Sequence, residues 1–244
     1  MKACEIKAID YYPSVSDMLI DHWRRVDAEE IRSELSALKA RRPDCNAIRI
    51  THSFEAFQRG PKEYAGRFEE RLAIADRLGL KVISCLFNRY HDAKRDCGGT
   101  YLEQLIPDFS WAYADGYYER FMQEICLAHG EDPRVLIWET CGKPLGVYRQ
   151  EAEDPILATC YEKRWLRELY CYIKKCEVQQ PVGISCRHDY AEETLAYLLR
   201  CCDLLILSPY YGNEAMSQCI RGWSPRQVSL PVIRVSGPDE QHFL

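Results

Sequence analysis

Asp132-Pro133-Arg134-Val135-Leu136-Ile137-Trp138-Glu139-Thr140-Cys141-Gly142-Lys143-Pro144-Leu145-Gly146 is the stretch whose reading decides the fold. Asp132 and Pro133 punctuate its start, Val135 to Trp138 form a continuous apolar, β-favouring run, and Gly142, Pro144 and Gly146 are expected to stop it. A strand apolar on both faces belongs to a parallel sheet covered by helices. In such sheets chemistry gathers where strands end, and Glu139 and Lys143 are expected at that end.

Working outward, the same unit recurs. Before this stretch the pattern predicts strands at Glu5 to Tyr12, Cys45 to Thr51 and Leu80 to Phe87. Between them lie a helix opened by the capping-box pair Asp27 and Glu30, with Ile31, Leu35 and Leu38 at helical spacing, and a helix from Lys62 to Leu78, with Phe68, Leu72 and Ala75 on one face and Gly79 as its stop. A helix from Asp115 to His129, with Phe121, Ile125 and Ala128 inward, leads into the central strand.

After it, a helix beyond Pro155 presents Trp165, Leu169, Tyr172 and Cys176 inward. Strands follow at Pro181 to Cys186, Leu204 to Leu207 and Pro231 to Val235, with helices at Ala191 to Cys201 and near Glu214 to Ile220. Seven βα-style strands predict a (β/α)8-type TIM barrel in one domain over residues 1–244, incomplete because nothing after strand seven supplies the last βα unit. Strand edges one and seven are left to pair or be covered, and an exposed edge would favour a homo-oligomer. An open doubly wound sheet is the alternative, but no G-x-G-x-x-G follows any strand.

Composition narrows the partners. A net charge of -5 with no long basic run argues against nucleic acid, and no apolar stretch is long enough for a membrane span. Thirteen cysteines with no secretion signal at Met1 to Asp10 point to reduced thiols and a cytoplasmic protein.

Several segments together resemble the clan A glycoside hydrolases, especially the cellulase-like family 5 barrels. They are Tyr11-Tyr12-Pro13, Asn46-Ala47-Ile48-Arg49-Ile50, Phe68-Glu69 through Leu80-Lys81-Val82, Val135 to Trp138, Ser208-Pro209-Tyr210-Tyr211-Gly212 and Pro231-Val232-Ile233. The resemblance implies a β-linked oligosaccharide or polysaccharide as substrate, no cofactor, and a retaining mechanism with two glutamates ~5 Å apart. One glutamate would end strand four and the other strand seven.

The chain departs from the family at those positions. The family's Trp-Asp-x-x-Asn-Glu-Pro reads Trp138-Glu139-Thr140-Cys141-Gly142-Lys143-Pro144 here, so Lys143 holds the acid/base position and Gly142 that of its asparagine neighbour. Strand seven ends Val235-Ser236-Gly237, with Ser236 near the nucleophile position, and Ser208 stands where the family has histidine. A lysine cannot replace a carboxylic acid whose proton must cycle near neutrality, and serine without a base does not attack an acetal. The resemblance therefore implies a glycoside hydrolase homologue whose activity is lost or carried by other residues.

Arg49, which in the family helps orient the nucleophile, is expected to pair with Glu139. Glu139 itself is either a mouth carboxylate touching ligand or an ion-pair partner of Arg49 or Lys143. Aromatic and polar strand-end residues would bind the sugar: Trp111, Trp138, Tyr210 and Tyr211 by stacking, with His52, Asn88, His91 and His188 around them. Two rivals remain: a non-catalytic carbohydrate-binding protein, and a metal-dependent, sugar-isomerase-like barrel using Glu139 with His52, His91 and His188.

Overall fold

The computed structural model describes residues 5–89, 100, 105, 117–145, 155–187, 190–207 and 232–236. Seven parallel strands, β1 Ala8–Asp10, β2 Ala47–Thr51, β3 Lys81–Asn88, β4 Val135–Gly142, β5 Val182–Cys186, β6 Leu204–Leu207 and β7 Val232–Ser236, pair in chain order. β1 then meets β7, with Ala8 opposite Val235 and Ile9 opposite Ser236, so the sheet is a ring. The edge expected to be exposed is instead a short ladder, which removes the physical reason for dimerisation through it.

Helices cover the ring: α1 Leu19–Arg24, α2 Ala28–Arg41, α3 Phe54–Arg59, α4 Pro61–Arg77, α5 Tyr117–Phe121, α6 Pro155–Lys175 and α7 Glu192–Leu198. The capping box of α2 forms as the sequence predicts, with Asp27 accepting from the Glu29 and Glu30 amides and Glu30 accepting from the Asp27 amide. Such a cap is worth about 1 kcal/mol. Gly79, at φ 68, ends α4 in the left-handed conformation that costs a glycine least. The short helix α1, which carries His22 and Trp23, lies between the first strand and the helix opened by Asp27.

Three boundaries and faces differ from expectation. β4 does not stop before Gly142: it runs through it, because Asn88 of β3 continues the ladder to that residue. Glu139 thus lies inside the barrel rather than at its lip. After α5 the chain enters a π turn, Met122–Cys126, then a 3-10 turn, Leu127–His129. A π turn holds more residues than an α turn and rotates the residues after it, so Ile125 and Cys126 are buried while Ala128, expected inward, is exposed. On α6, Trp165 and Leu169 are buried as expected, but Glu162 is buried too, and Cys176, one residue past the end of the helix, is exposed.

Two cores result. Alternate residues point into the ring, where Ala8, Ala47, Ile83, Ile137, Ile206 and Ile233 pack together. The opposite faces pack on the helices, in a layer rich in rings: Trp23, His52, Phe57, Tyr64, Phe68, Phe87, Phe121 and Trp165. Of the cysteines among the described residues none is in a disulfide; seven are buried and Cys160, Cys171 and Cys176 are exposed. Among these residues no helix is long and apolar enough to cross a membrane.

Candidate functional site

The alternation that makes the inner apolar layer places a charged layer one step further toward the strand ends. Asp10, Arg49, Cys85, Glu139 and Ser185 each follow, two residues on, a position in the inner face of β1 to β5. Arg49 is the hub. Its Nε donates to Glu139 Oε2 at 2.6 Å and its Nη2 to Glu139 Oε1 at 2.9 Å, a bidentate pair. Nη1 donates to Asp10 Oδ1 at 2.9 Å and to Thr51 Oγ1 at 3.4 Å, and Nη2 also reaches Cys85 Sγ at 3.1 Å. Ser185 Oγ donates to Glu139 Oε1 at 2.5 Å.

Burial decides the electrostatics. Desolvation alone would weaken the Arg49 guanidinium's hold on its proton, but Asp10 and Glu139 outweigh it and hold its pKa well above the ordinary arginine value. Burial pushes the Asp10 carboxyl up, against the pull of Arg49. Asp10 Oδ2 is buried and has no hydrogen-bond partner among the described residues. Glu139, by contrast, has both oxygens occupied and is 0% exposed. Of the two carboxylates only Asp10 has an oxygen with no donor among the described residues.

Gly142 lies directly above this layer. A Cβ at that position would sit 2.9 Å from Arg49 Nη2, 3.3 Å from Cys85 Sγ and 3.4 Å from Asn88 Oδ1. The missing side chain is what lets the guanidinium occupy its place. Beyond it, Lys143 and Leu145 adopt φ of 50 and 55, left-handed conformations that cost a non-glycine residue about 1 kcal/mol or more each.

Buried groups hold this turn. Leu145 N donates to Glu162 Oε1 at 2.9 Å, Arg89 N donates to Gly142 O at 3.0 Å, and the Tyr190 hydroxyl donates to Pro144 O. Glu162 in turn faces the Arg89 guanidinium at 3.5 Å. Burial raises the Glu162 pKa, and Arg89 opposes that shift. Neither residue figures among the sequence-derived candidates. The available signal was Glu162 one turn before Trp165, an acid on the apolar face of α6.

The remaining candidates separate by face. His52 and Trp138 lie in the outer layer, not in the mouth: His52 follows Ile48 and Ile50 on the outward side of β2, and Trp138 follows the outward side of β4. His52 stacks on Trp23 with ring centroids 4.7 Å apart and lies 2.9 Å from Tyr64 Oη and 2.7 Å from Ser84 Oγ. Trp138 Nε1 donates to Gln180 Oε1. Ser236 is exposed and pairs with Ile9, whose side chain faces the helices, so it is on the outer side of the ring. Asn88 is half-buried at the end of β3, and Lys143 is half-buried above β4. His91, Trp111, His188, Tyr210 and Tyr211 lie outside the described residues.

The constellation of Glu139 with His52 does not form, since the two occupy opposite faces of the sheet. Among the described residues another group, Glu69, His129 and Asp132, has potential ligand atoms within 4.8 Å of one another. It lies before β4, at the end away from Lys143, and Arg134 already donates to Glu69 at 2.7 and 2.8 Å and to Asp132 at 2.6 Å. A cation there would have to displace that guanidinium.

His52 carries a pH prediction. Burial holds its pKa well below 6.5, with Arg71 and His129 adding to the effect. The unfolded chain therefore takes up a proton near pH 6.5 that the folded chain refuses, so this histidine's contribution to stability is complete above that pH and is lost as pH falls. Between pH 6.5 and 5 the wild type should lose stability more steeply than His52→Gln, by about 1.4 kcal/mol per pH unit. Urea unfolding across that range checks it, and parallel slopes would refute it.

At the level of sequence, no family model and no curated protein matches the chain. Solved structures do. The GH5_18 protein of Streptomyces cattleya, solved in complex with GlcNAc, matches with a TM-score of 0.65 at 13% identity, over 87% of this chain and 53% of that one. A β-glucuronidase of Bacteroides uniformis matches with a TM-score of 0.61 at 13% identity, over 96% of this chain and 24% of that one. The exo-β-1,4-mannosidase of Opitutaceae bacterium strain TAV5 matches with a TM-score of 0.60 at 12% identity, over 83% and 38%. The chain thus spans about half or less of the length of these proteins. At such identities the likeness is one of architecture: the chain has the barrel fold of the family 5 and related clan A glycoside hydrolases.

Proposed function

We propose that this chain is a glycoside hydrolase homologue whose barrel mouth binds β-linked oligosaccharide or polysaccharide without cleaving it by two-glutamate chemistry. The observation that carries the reading is the state of Glu139. Fully buried, with both oxygens engaged by Arg49 and one also by Ser185, it is held as an ion-pair partner inside the barrel and is not presented as a proton donor to a glycosidic oxygen. Lys143 stands at the family's acid/base position, and Ser236, near the nucleophile position, faces outward. Either departure alone would interrupt the double displacement.

Support for a saccharide ligand comes from the neighbours. The matched proteins are a GlcNAc complex, a β-glucuronidase and an exo-β-1,4-mannosidase, and all share this barrel. Asn88, His91, Trp111, His188, Tyr210 and Tyr211 are the side chains this reading assigns to the sugar.

The test has two arms on protein shown by circular dichroism to be folded. Reducing-end release from β-glucans, mannans and xylans is expected to be absent. Binding to at least one of them is expected to be measurable by calorimetry, and to weaken in Trp111→Ala or Tyr210→Ala by about 1–3 kcal/mol, roughly 5- to 150-fold. Release that survives repurification and vanishes in Glu139→Gln would overturn the non-hydrolytic reading. Absence of both release and binding across the panel would overturn the saccharide reading itself.

A further inference from the structure

Outside the barrel, α1, α3 and α4 line a small open-sided cleft of about 40 Å³. Its lining combines two buried rings, Trp23 and Tyr64, with three arginines, Arg24, Arg59 and Arg67, and one acid, Glu63. Glu63 is already used: Arg67 Nη2 donates to it at 2.9 Å. Arg24 and Arg59 are exposed, and neither has a hydrogen bond or ion pair among the described residues. The lining therefore keeps two uncompensated positive charges.

A third observation lies against the same wall. Arg71 is 7% exposed, with its guanidinium 3.7 Å from the centre of the Trp23 ring and a hydrogen bond to the His22 carbonyl. No carboxylate pairs with it among the described residues. Buried guanidinium groups are ordinarily paired, because an uncompensated charge out of water is costly. Burial accordingly brings the Arg71 pKa down to about 10. The N-terminus of the 17-residue helix α4 adds to the same field, since its N-cap Gly60 has no side chain to satisfy the first-turn amides.

We propose that this cleft is an anion site that takes a tetrahedral phosphate group, either inorganic phosphate or the phosphate ester of a sugar. Two exposed arginine forks on the lining are donors of the kind that bind such a group, and its charge at neutral pH, about -1.5 to -2, matches the excess on the lining. The low-dielectric aromatic wall strengthens the attraction relative to an open surface. The site is separate from the charged layer inside the barrel and shares no residue with it.

Calorimetric titration of the whole chain with inorganic phosphate, ionic strength being held constant with chloride, tests the proposal. Saturable binding and a rise in Tm are expected. Arg24→Gln with Arg59→Gln should weaken binding about tenfold for each arginine removed, with the phosphate-free Tm unchanged. Should the double variant misfold, Arg59→Gln alone gives the single tenfold step. Glucose 6-phosphate binding more tightly than phosphate would identify a sugar phosphate as the ligand, and equal affinity would identify free phosphate. No saturable binding, or binding undiminished in the variants, would overturn the proposal and leave Arg24 and Arg59 as charges that complement the C-terminal ends of α1 and α3.

Discussion

Arg49→Met is expected to lower the unfolding free energy by about 3–5 kcal/mol, the scale of leaving buried charges without their partner. The substitution removes the donors that Asp10 Oδ1 and both Glu139 oxygens now share, and it leaves two carboxyls in a layer from which water is excluded. The size of the loss does not mean that the pair is a net source of stability. Desolvating Arg49 and Glu139 costs nearly as much as their attraction returns, so removing both together should cost much less. In Arg49→Met with Glu139→Leu, most of the deficit should be recovered. Urea unfolding followed by circular dichroism separates the cases: a single-variant loss below 1 kcal/mol, or a double variant as unstable as the single, would contradict the account.

Phe121→Ala should be about as damaging, about 3–5 kcal/mol, for a different reason. Phe121 is 0% exposed and stands edge-on to Phe57 at 5.1 Å, Phe87 at 5.3 Å, Phe54 at 5.6 Å and His52 at 5.8 Å. Removing its ring opens a cavity among side chains fixed by strands on one side and helices on the other. For a chain of this size the loss corresponds to a fall in Tm of roughly 6–20 °C. Phe121→Leu, which keeps most of the volume, should cost clearly less. A loss under about 1.5 kcal/mol in the alanine variant would mean that the π turn beginning at Met122 lets the helix settle into the gap.

The order and parallel pairing of the strands were legible because each is a short apolar run with a breaker on either side. Parity carried more than the run itself. A strand alternates, so Arg49 and Thr51 had to face away from Ile48, Ile50 and His52, and Glu139 away from Trp138. On that basis the sequence already separates His52 and Trp138 from the charged layer. The sequence-level expectation gathered all of them at the mouth because it used proximity to the strand end and not the side of the sheet.

The end of β4 was misplaced for a related reason. Gly142 and Pro144 look like breakers, yet a glycine can continue a ladder when the neighbouring strand offers a partner, as Asn88 does here. The bidentate contact of Arg49 with Glu139 was anticipated as one of several pairings, since both residues lie near the ends of neighbouring apolar runs. The linkage from Glu162 to the Lys143 turn was not, because it joins residues far apart in sequence through a backbone amide, and no side-chain pattern announces such a bond.

The close approach of Arg49 to Gly142 has a consequence for anyone wishing to convert this barrel into a working hydrolase. Replacing Lys143 with glutamate and Gly142 with asparagine would reproduce the family's motif on paper. In space, the first atom of the new asparagine side chain would lie 2.9 Å from Nη2 of Arg49, so the guanidinium that Asp10 and Glu139 hold must shift to admit it. The substitutions are therefore not independent steps: a change at the rim is felt in the charged layer. Position 142 couples the rim to the interior, and an engineering route that passes through it has to accommodate Arg49 as well.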